Sequence, residues 1–173
     1  MKKLIAAVTS AALTGSVIVG SFALPVVASE IQKAEDKEQA MCLAKNIYFE
    51  ARSSNLADKA GVADVVLNRV NDTRYPNTIC GVVYQGKQNA DGSMKRNACQ
   101  FSWYCDGKKD DPKDADRWEE AKLIAYNILN YGKYRGVSEG ATHYHAHYVD
   151  PRWAKDLQMV GRMGAHIFYR WEK

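Results

Sequence analysis

Apolar residues recur at helical spacing in three stretches of the chain. Across residues 35–52, Ala40, Leu43, Ala44, Ile47 and Ala51 form a stripe that predicts a helix with one buried face. Glu50 shares a face with Leu43 and Ile47, because seven residues make almost two turns, while Asp36, Lys45 and Arg52 lie opposite. Residues 56–70 repeat the pattern with Leu56, Ala60, Ala63, Leu67 and Val70, widened by Val62 and Val66. Ser53, Ser54 and Asn55 break the first helix and offer a cap to the second, so the pair reads as a helical hairpin. The small residues Ala60, Gly61 and Ala63 predict the close approach of another helix. The third stretch, 114–131, turns Trp118, Ala121, Ala125, Ile128 and Leu129 inward. Asp114 and Asp116 suit the positive end of its dipole, and Gly132 and Gly136 punctuate its end.

Between these stretches the period is lost or changes. Residues 71–76 read as a turn, and 78–84 as a short apolar run that fits either a helix or a strand. Residues 85–112 are mostly polar and read as one long loop, a feature that in a small domain is functional or disordered. The aromatics between Cys99 and Cys105 argue against disorder. Residues 142–149 alternate and predict a strand, and 165–171 a second. Between them lie the turn Asp150-Pro151-Arg152-Trp153 and a segment ending at Gly161. The expectation is an α+β, mainly helical fold with a small β element.

The start of the chain is of another kind. Lys2 and Lys3 precede a run of apolar and small residues, then Pro25 and Val26-Val27-Ala28, the layout of an export signal cleaved after Ala28. An uncleaved anchor is the competing reading, weakened by Thr9, Ser10, Thr14, Gly15 and Ser16 within the run. Residues 1–28 are thus assigned to a signal, 29–36 to a short polar tether and 37–173 to one catalytic-sized domain. Removing the signal takes two lysines and no acid, so the formal charge falls from +4 to +2. That is too mild for a nucleic-acid partner, and no stable membrane insertion is expected once the signal is gone. The expected location is the periplasm, cell envelope or extracellular space.

All four cysteines lie in the exported part, where an even count suggests two disulfides. Of three possible pairings, Cys99–Cys105 with Cys42–Cys80 is preferred, since the former closes a short loop. A four-thiolate zinc site competes weakly, because no C-x-x-C spacing occurs.

Three groups of residues can carry chemistry. A lone carboxylate on a core-facing helix surface, as at Glu50, has its charged form disfavoured and can serve as a general acid near neutral pH. The plainer alternative pairs it with a buried arginine such as Arg69. His143, His145 and His147 would share one face of a strand, which fits a three-imidazole metal site, a sugar-binding groove or simple solvent exposure. Phe101, Trp103, Tyr104, Tyr144, Trp153 and Tyr169 could stack on sugar faces, with Gln100, Ser102 and Thr142 as hydrogen-bond partners, unless half of the rings are core. Trp118 and Trp171 fit the core better.

The segments CLAKNIYFEAR, GVADVVLNRV, YPNTICGVVYQGKQ, CQFSWYCDG, ATHYHA, PRW and GAHIFYR occur in this order. Together they resemble the SleB/CwlJ family of cell-wall hydrolases, the spore cortex-lytic type, in the form without an attached peptidoglycan-binding module. The resemblance runs from Cys42 to Arg170. It implies a lysozyme-like catalytic domain that cleaves the β-1,4 bond between N-acetylmuramic acid and N-acetylglucosamine in peptidoglycan glycan strands. It also implies that Glu50 is the catalytic acid. Gln100, Phe101, Ser102, Trp103, Thr142, His143, Tyr144 and Trp153 are the expected substrate-binding residues, and no cofactor is called for.

One departure bears on mechanism. The family motif commonly continues Glu-Ala-Arg-Gly-Glu, whereas this chain reads Glu50-Ala51-Arg52-Ser53-Ser54. Glycoside hydrolysis normally uses two carboxylates, but a lytic transglycosylase can manage with one. The single-acid route is therefore expected, with Asp64, Glu139 and Asp150 as the acids that folding could bring near Glu50. A hydrolytic muramidase, a zinc hydrolase built on the three histidines and a non-catalytic wall-binding protein are the alternatives.

Overall fold

Helix α1 (Pro25–Ala51) is the element on which the other helices pack. The computed structural model describes residues 25–172, so most of the expected export signal, residues 1–24, lies outside the described residues. The helix begins ten residues before the expected start at residue 35. Residues 29–36, expected as a tether, are instead solvent-exposed helix. The physical reason is composition: Glu, Gln, Lys and Ala are strong helix formers, and Gln32 donates to Asp36 one turn later at 2.9 Å. A polar stretch without breakers extends a helix whether or not it has a core to face. Among the described residues no helix is long and apolar enough to cross a membrane.

Helix α2 (Leu56–Val70) keeps its expected bounds and is capped by Asn55, whose side chain accepts from Asp58 N at 3.0 Å. Val62, Ala63, Val65 and Val66 are fully buried, whereas Leu56, expected in the stripe, is about half exposed at the first position. Gly61 does permit a close approach, though not by a helix. A β-carbon there would lie 2.7 Å from Met163 Cε and 2.8 Å from the Phe168 ring, so the sheet is the neighbour. Helix α3 (Ile79–Val83) resolves the ambiguous apolar run as helical, with Thr78 as its cap. Helix α4 (Ala115–Tyr131) starts at the Asp114 cap and stops at Gly132, which takes the left-handed conformation at φ 63°. The Tyr48 hydroxyl on α1 accepts from Lys113 N and Asp114 N at 3.1 and 3.0 Å and so fixes where α4 begins.

The long polar segment is not a plain loop. It holds a hairpin, β1 (Gly86–Gln88) and β2 (Met94–Cys99), followed by a 3-10 turn at Ser102–Cys105. Its strands are mostly exposed, so they carry no apolar alternation to reveal them. The local signal was Asp91-Gly92, with Gly92 at φ 83°. A second sheet follows, ordered β3-β5-β4 and antiparallel: β3 (His143–Ala146), β4 (Gln158–Met163) and β5 (His166–Arg170). The first and last were expected; β4 was not, because only its residues Val160, Gly161 and Met163 are even half-buried. Trp118 packs against the core as expected, but Trp171 stands 43% exposed beyond the end of β5.

Two disulfides, Cys42–Cys80 and Cys99–Cys105, join the expected cysteines. The first ties α1 to α3; the second brackets the 3-10 turn. Two buried charges complete the frame. Lys59 on α2 meets Glu120 on α4 at 2.7 Å. Asp64 accepts from the Arg135 guanidinium, from Gly136 N and Ser138 N at 3.1 and 3.0 Å, and from Ser138 Oγ at 2.7 Å, which fastens the loop after α4 to α2. Asp64→Ala strands these donors in the interior and is expected to cost about 3 kcal/mol or more in urea unfolding. A loss below about 1 kcal/mol would show that the loop does not depend on this carboxylate.

Candidate active site

Glu50 stands on the last turn of α1, where the helix leaves the core. Leu43 and Ile47, on its face, are fully buried, so the side chain emerges from an apolar base into a cleft of about 370 Å³. Phe49, Arg69, Gln100, Ser102, Tyr144 and His166 are among the side chains around it. The Tyr144 hydroxyl on β3 donates to Glu50 Oε2 at 3.2 Å. Burial pushes the carboxyl above its usual value, and the Tyr144 hydrogen bond and the nearby His166 and Arg69 only partly offset this. Burial and the neighbouring acid hold the Tyr144 phenol well above its usual 10.0, so it is a donor throughout the physiological range. The plainer alternative, a Glu50–Arg69 ion pair, is not found among the described residues.

Glu50 is the one carboxylate among the described residues that line this cleft. Asp64 is committed to the loop, Glu139 meets Arg170 at 3.9 Å and Asp150 is exposed elsewhere. Ser54, where the resembled motif was expected to carry a second Glu, does not line the cleft either. Its hydroxyl donates to Asp58, which also accepts from Ala165 N at 3.0 Å and contacts His166 Nδ1 at 2.8 Å. Burial raises the Asp58 pKa, but the bonds from His166 and Ser54 outweigh it and hold the group ionised. An ionised carboxylate only accepts, so Nδ1 of His166 carries the proton. The ring then packs edge-on against Tyr144, centroids 4.9 Å apart, behind the residue that donates to Glu50. Gly164, at φ 57°, makes this possible: a β-carbon there would lie 2.6 Å from Ser54 Oγ.

The structure brings Gln100, Phe101, Ser102, Trp103 and Tyr144 to the cleft with Glu50. It does not bring Thr142, His143 or Trp153 there. Thr142 lines a separate cavity of about 920 Å³ with Arg74 and Trp171. His143 rests against Trp153 and Trp171 at 5.3 and 5.7 Å. Burial, with Arg69 and Arg74 nearby, lowers its pKa to about 4 and leaves the ring neutral. The aromatics are more wall than platform: Phe101 is 2% exposed, and Trp103 stacks on Phe49 at 4.7 Å while donating to Asn46 Oδ1 at 3.1 Å. Tyr169 is also buried, and Tyr104 packs on Tyr84. The open rim belongs to Gln100, Ser102 and Tyr148, the last not anticipated.

The three histidines of the 143–147 segment do not fit a metal centre. His145 donates from Nδ1 to the Ala146 carbonyl at 3.0 Å, which leaves Nε2 to accept from the Tyr169 hydroxyl at 2.9 Å. His147 donates from Nδ1 to the Ala165 carbonyl at 3.1 Å. Among the described residues no three His, Cys, Asp or Glu side chains converge as ligands. Sequence reasoning missed His166 and Asp58. Both fall inside quoted or helical segments, but their partnership spans 108 residues.

The profile of a family described as Cell Wall Hydrolase matches residues 53–169, beginning just after Glu50 and taking in the cleft residues from Arg69 to His166. A spore cortex-lytic enzyme from Halalkalibacterium halodurans is 27% identical over 127 residues, which are 73% of this chain and 33% of that protein. The chain thus spans about a third of that relative's length. The catalytic domain of the Bacillus cereus SleB protein shares the fold with a TM-score of 0.53 at 23% identity, over 77% of this chain and 91% of that one. The catalytic domain of the germination-specific lytic transglycosylase SleB from Bacillus anthracis gives a TM-score of 0.55 at 22% identity, over 78% and 95%. The expected α+β, mainly helical, lysozyme-like fold is therefore borne out.

The electrostatics can be read directly. In a carbon-detected carboxyl titration, Glu50 is expected to titrate above the ordinary glutamate value of 4.5. Tyr144→Phe removes a hydrogen bond that favours the charged form and should move the midpoint higher still. A midpoint at or below the ordinary value, or a downward move in the variant, would contradict the site as described.

Proposed function

Because the chain belongs to the cell wall hydrolase family, we propose that it degrades peptidoglycan by cutting the bond between N-acetylmuramic acid and N-acetylglucosamine, with Glu50 as its single catalytic acid. One observation carries this reading: a half-buried carboxylate, hydrogen-bonded by Tyr144, is the one acid among the described residues lining a glycan-sized cleft. The family resemblance of the Tyr-x-Glu-Ala-Arg segment points the same way, as do relatives described as a spore cortex-lytic enzyme and a germination-specific lytic transglycosylase.

The chemistry suits a lytic transglycosylase. With Oε2 held by Tyr144, Oε1 is left for the substrate. Protonated Glu50 gives its proton to the glycosidic oxygen, and the bond from that oxygen to the muramic C1 breaks. The carboxylate formed is stabilised by the Tyr144 hydroxyl and by the nearby charge of Arg69. It then takes the proton from the muramic C6 hydroxyl as that oxygen bonds to C1. The products are an anhydro end and a free hydroxyl on the neighbouring sugar; the acid is regenerated and no water is consumed. Hydrolysis would call for a second carboxylate about 5 Å or roughly 6.5–9.5 Å from the first. Asp64, Glu139 and Asp150, the acids expected to come near it, do not line the cleft.

The expected setting is the cell wall after export, the role proposed for the segment at residues 1–28. Glu50→Gln should lower the release of soluble muropeptides by about 100-fold or more, the contribution of a general acid, without changing the circular dichroism. Wild-type products should carry anhydro-muramic ends in mass spectra. The rate should fall as pH rises through the raised Glu50 pKa, since the reaction starts from the protonated acid. Full activity in Glu50→Gln would overturn the assignment.

A further inference from the structure

Arg69 brings a charge into the cleft that the fold leaves unpaired. It lies in the last turn of α2 and is 5% exposed. Its Nε donates to the Thr142 carbonyl at 2.7 Å, and its guanidinium lies over the rings of Tyr75 and Phe101, each at 5.2 Å. Its Nη1 is buried and has no hydrogen-bond partner among the described residues. Lys59, a cation buried as deeply, has Glu120 at 2.7 Å. Burying a guanidinium without a carboxylate is costly, and stacking on two rings offsets only part of that cost. The carboxylate that shares its cleft is Glu50, which burial biases toward the neutral form.

A donor held this way calls for an acceptor brought by the ligand. The two sugars of a wall strand share their N-acetyl and C6 hydroxyl groups and differ at O3, which is a free hydroxyl in the glucosamine unit and an ether in the muramic one. The muramic residue alone adds a lactyl arm that ends in an acyl group, as a free carboxylate or joined to a peptide. A planar guanidinium fork is suited to an acyl oxygen, more so when that oxygen is charged. Resting on the wall-cleaving reading above, we propose that Arg69 receives the acyl oxygen of the muramic lactyl arm and thereby sets which of the two alternating glycosidic bonds lies on Glu50. Arg69 is then a specificity-determining residue, and its stack on Phe101 fixes it against the loop bracketed by Cys99–Cys105.

The test uses the Glu50→Gln protein, so that ligand is not consumed, and calorimetric titration with two disaccharides. One is N-acetylglucosaminyl-N-acetylmuramic acid; the other is diacetylchitobiose, which lacks the lactyl arm. The first should bind about 10-fold more tightly, the discrimination expected of one charge-assisted contact. Adding Arg69→Gln should reduce the difference to within about 2-fold, and Arg69→Lys should retain part of it by keeping the charge. Absence of a preference in Glu50→Gln overturns the proposal, as does a preference that survives Arg69→Gln. An equal loss for both ligands also overturns it, since that is what a structural prop for Thr142 would give. Should the glutamine variant fail to fold, wild-type wall lysis decides. N-acetylmuramic acid should then inhibit about 10-fold better than N-acetylglucosamine, and equal inhibition overturns the proposal. Failure of the cleavage reading looks different: intact wall with wild-type protein while the muramyl preference persists.

Discussion

A carboxyl group that must donate a proton near neutral pH has to be kept from water, and yet must remain within reach of a solvated polymer. Glu50, the acid proposed for that role, stands at the end of α1, one turn beyond the fully buried Ile47. The apolar base raises the acid's pKa, while Tyr144 holds one carboxyl oxygen. These influences oppose each other in the titration, but under the proposed mechanism they would act together in the reaction. Desolvation favours the acid before proton transfer, and the hydrogen bond favours the carboxylate afterwards. A group that acts as acid and then as base needs both.

Much of the remaining architecture fixes Tyr144 and α1 relative to one another. The two belong to segments separated by 94 residues, so no local rule aligns them. Helix α1 is held by α2 and α4 on its sides and by Cys42–Cys80 near its middle. The sheet is docked on α2 by Phe168 and Met163 over Gly61, and by Asp58 receiving Ala165 N and the His166 ring. Ser54 completes the Asp58 cluster from the turn that follows α1. The position where a second acid was expected to be lost is therefore part of the fastening between helix end and sheet.

The helices were legible in the sequence because their buried faces leave a period, and α2 and α4 carry recognisable caps at Asn55 and Asp114. What lay outside that period was not legible. Residues 29–36 are helical without a buried face, and β1 and β2 are strands without one. Glu50, Tyr144 and the segment from Gln100 to Trp103 were found because they sit in motifs whose resemblance could be recognised. Thr142, His143 and Trp153 come from the same kind of motif yet lie away from the cleft: Thr142 faces the separate cavity, and His143 packs against Trp153 and Trp171. Arg69 appeared only as a possible partner for Glu50. That it is buried with an unmatched donor depends on Thr142, Tyr75 and Phe101, which only folding brings together.

On the proposed mechanism one carboxylate acts twice, and water takes no part in cutting the glycan. Digestion of purified peptidoglycan in water enriched in oxygen-18, followed by mass spectrometry of the released fragments, tests it most directly. Released fragments are expected to carry anhydro-muramic ends without heavy oxygen. Fragments with heavy oxygen at the muramic C1 and no anhydro ring would mean that water attacks the sugar, and the single-acid mechanism would be wrong.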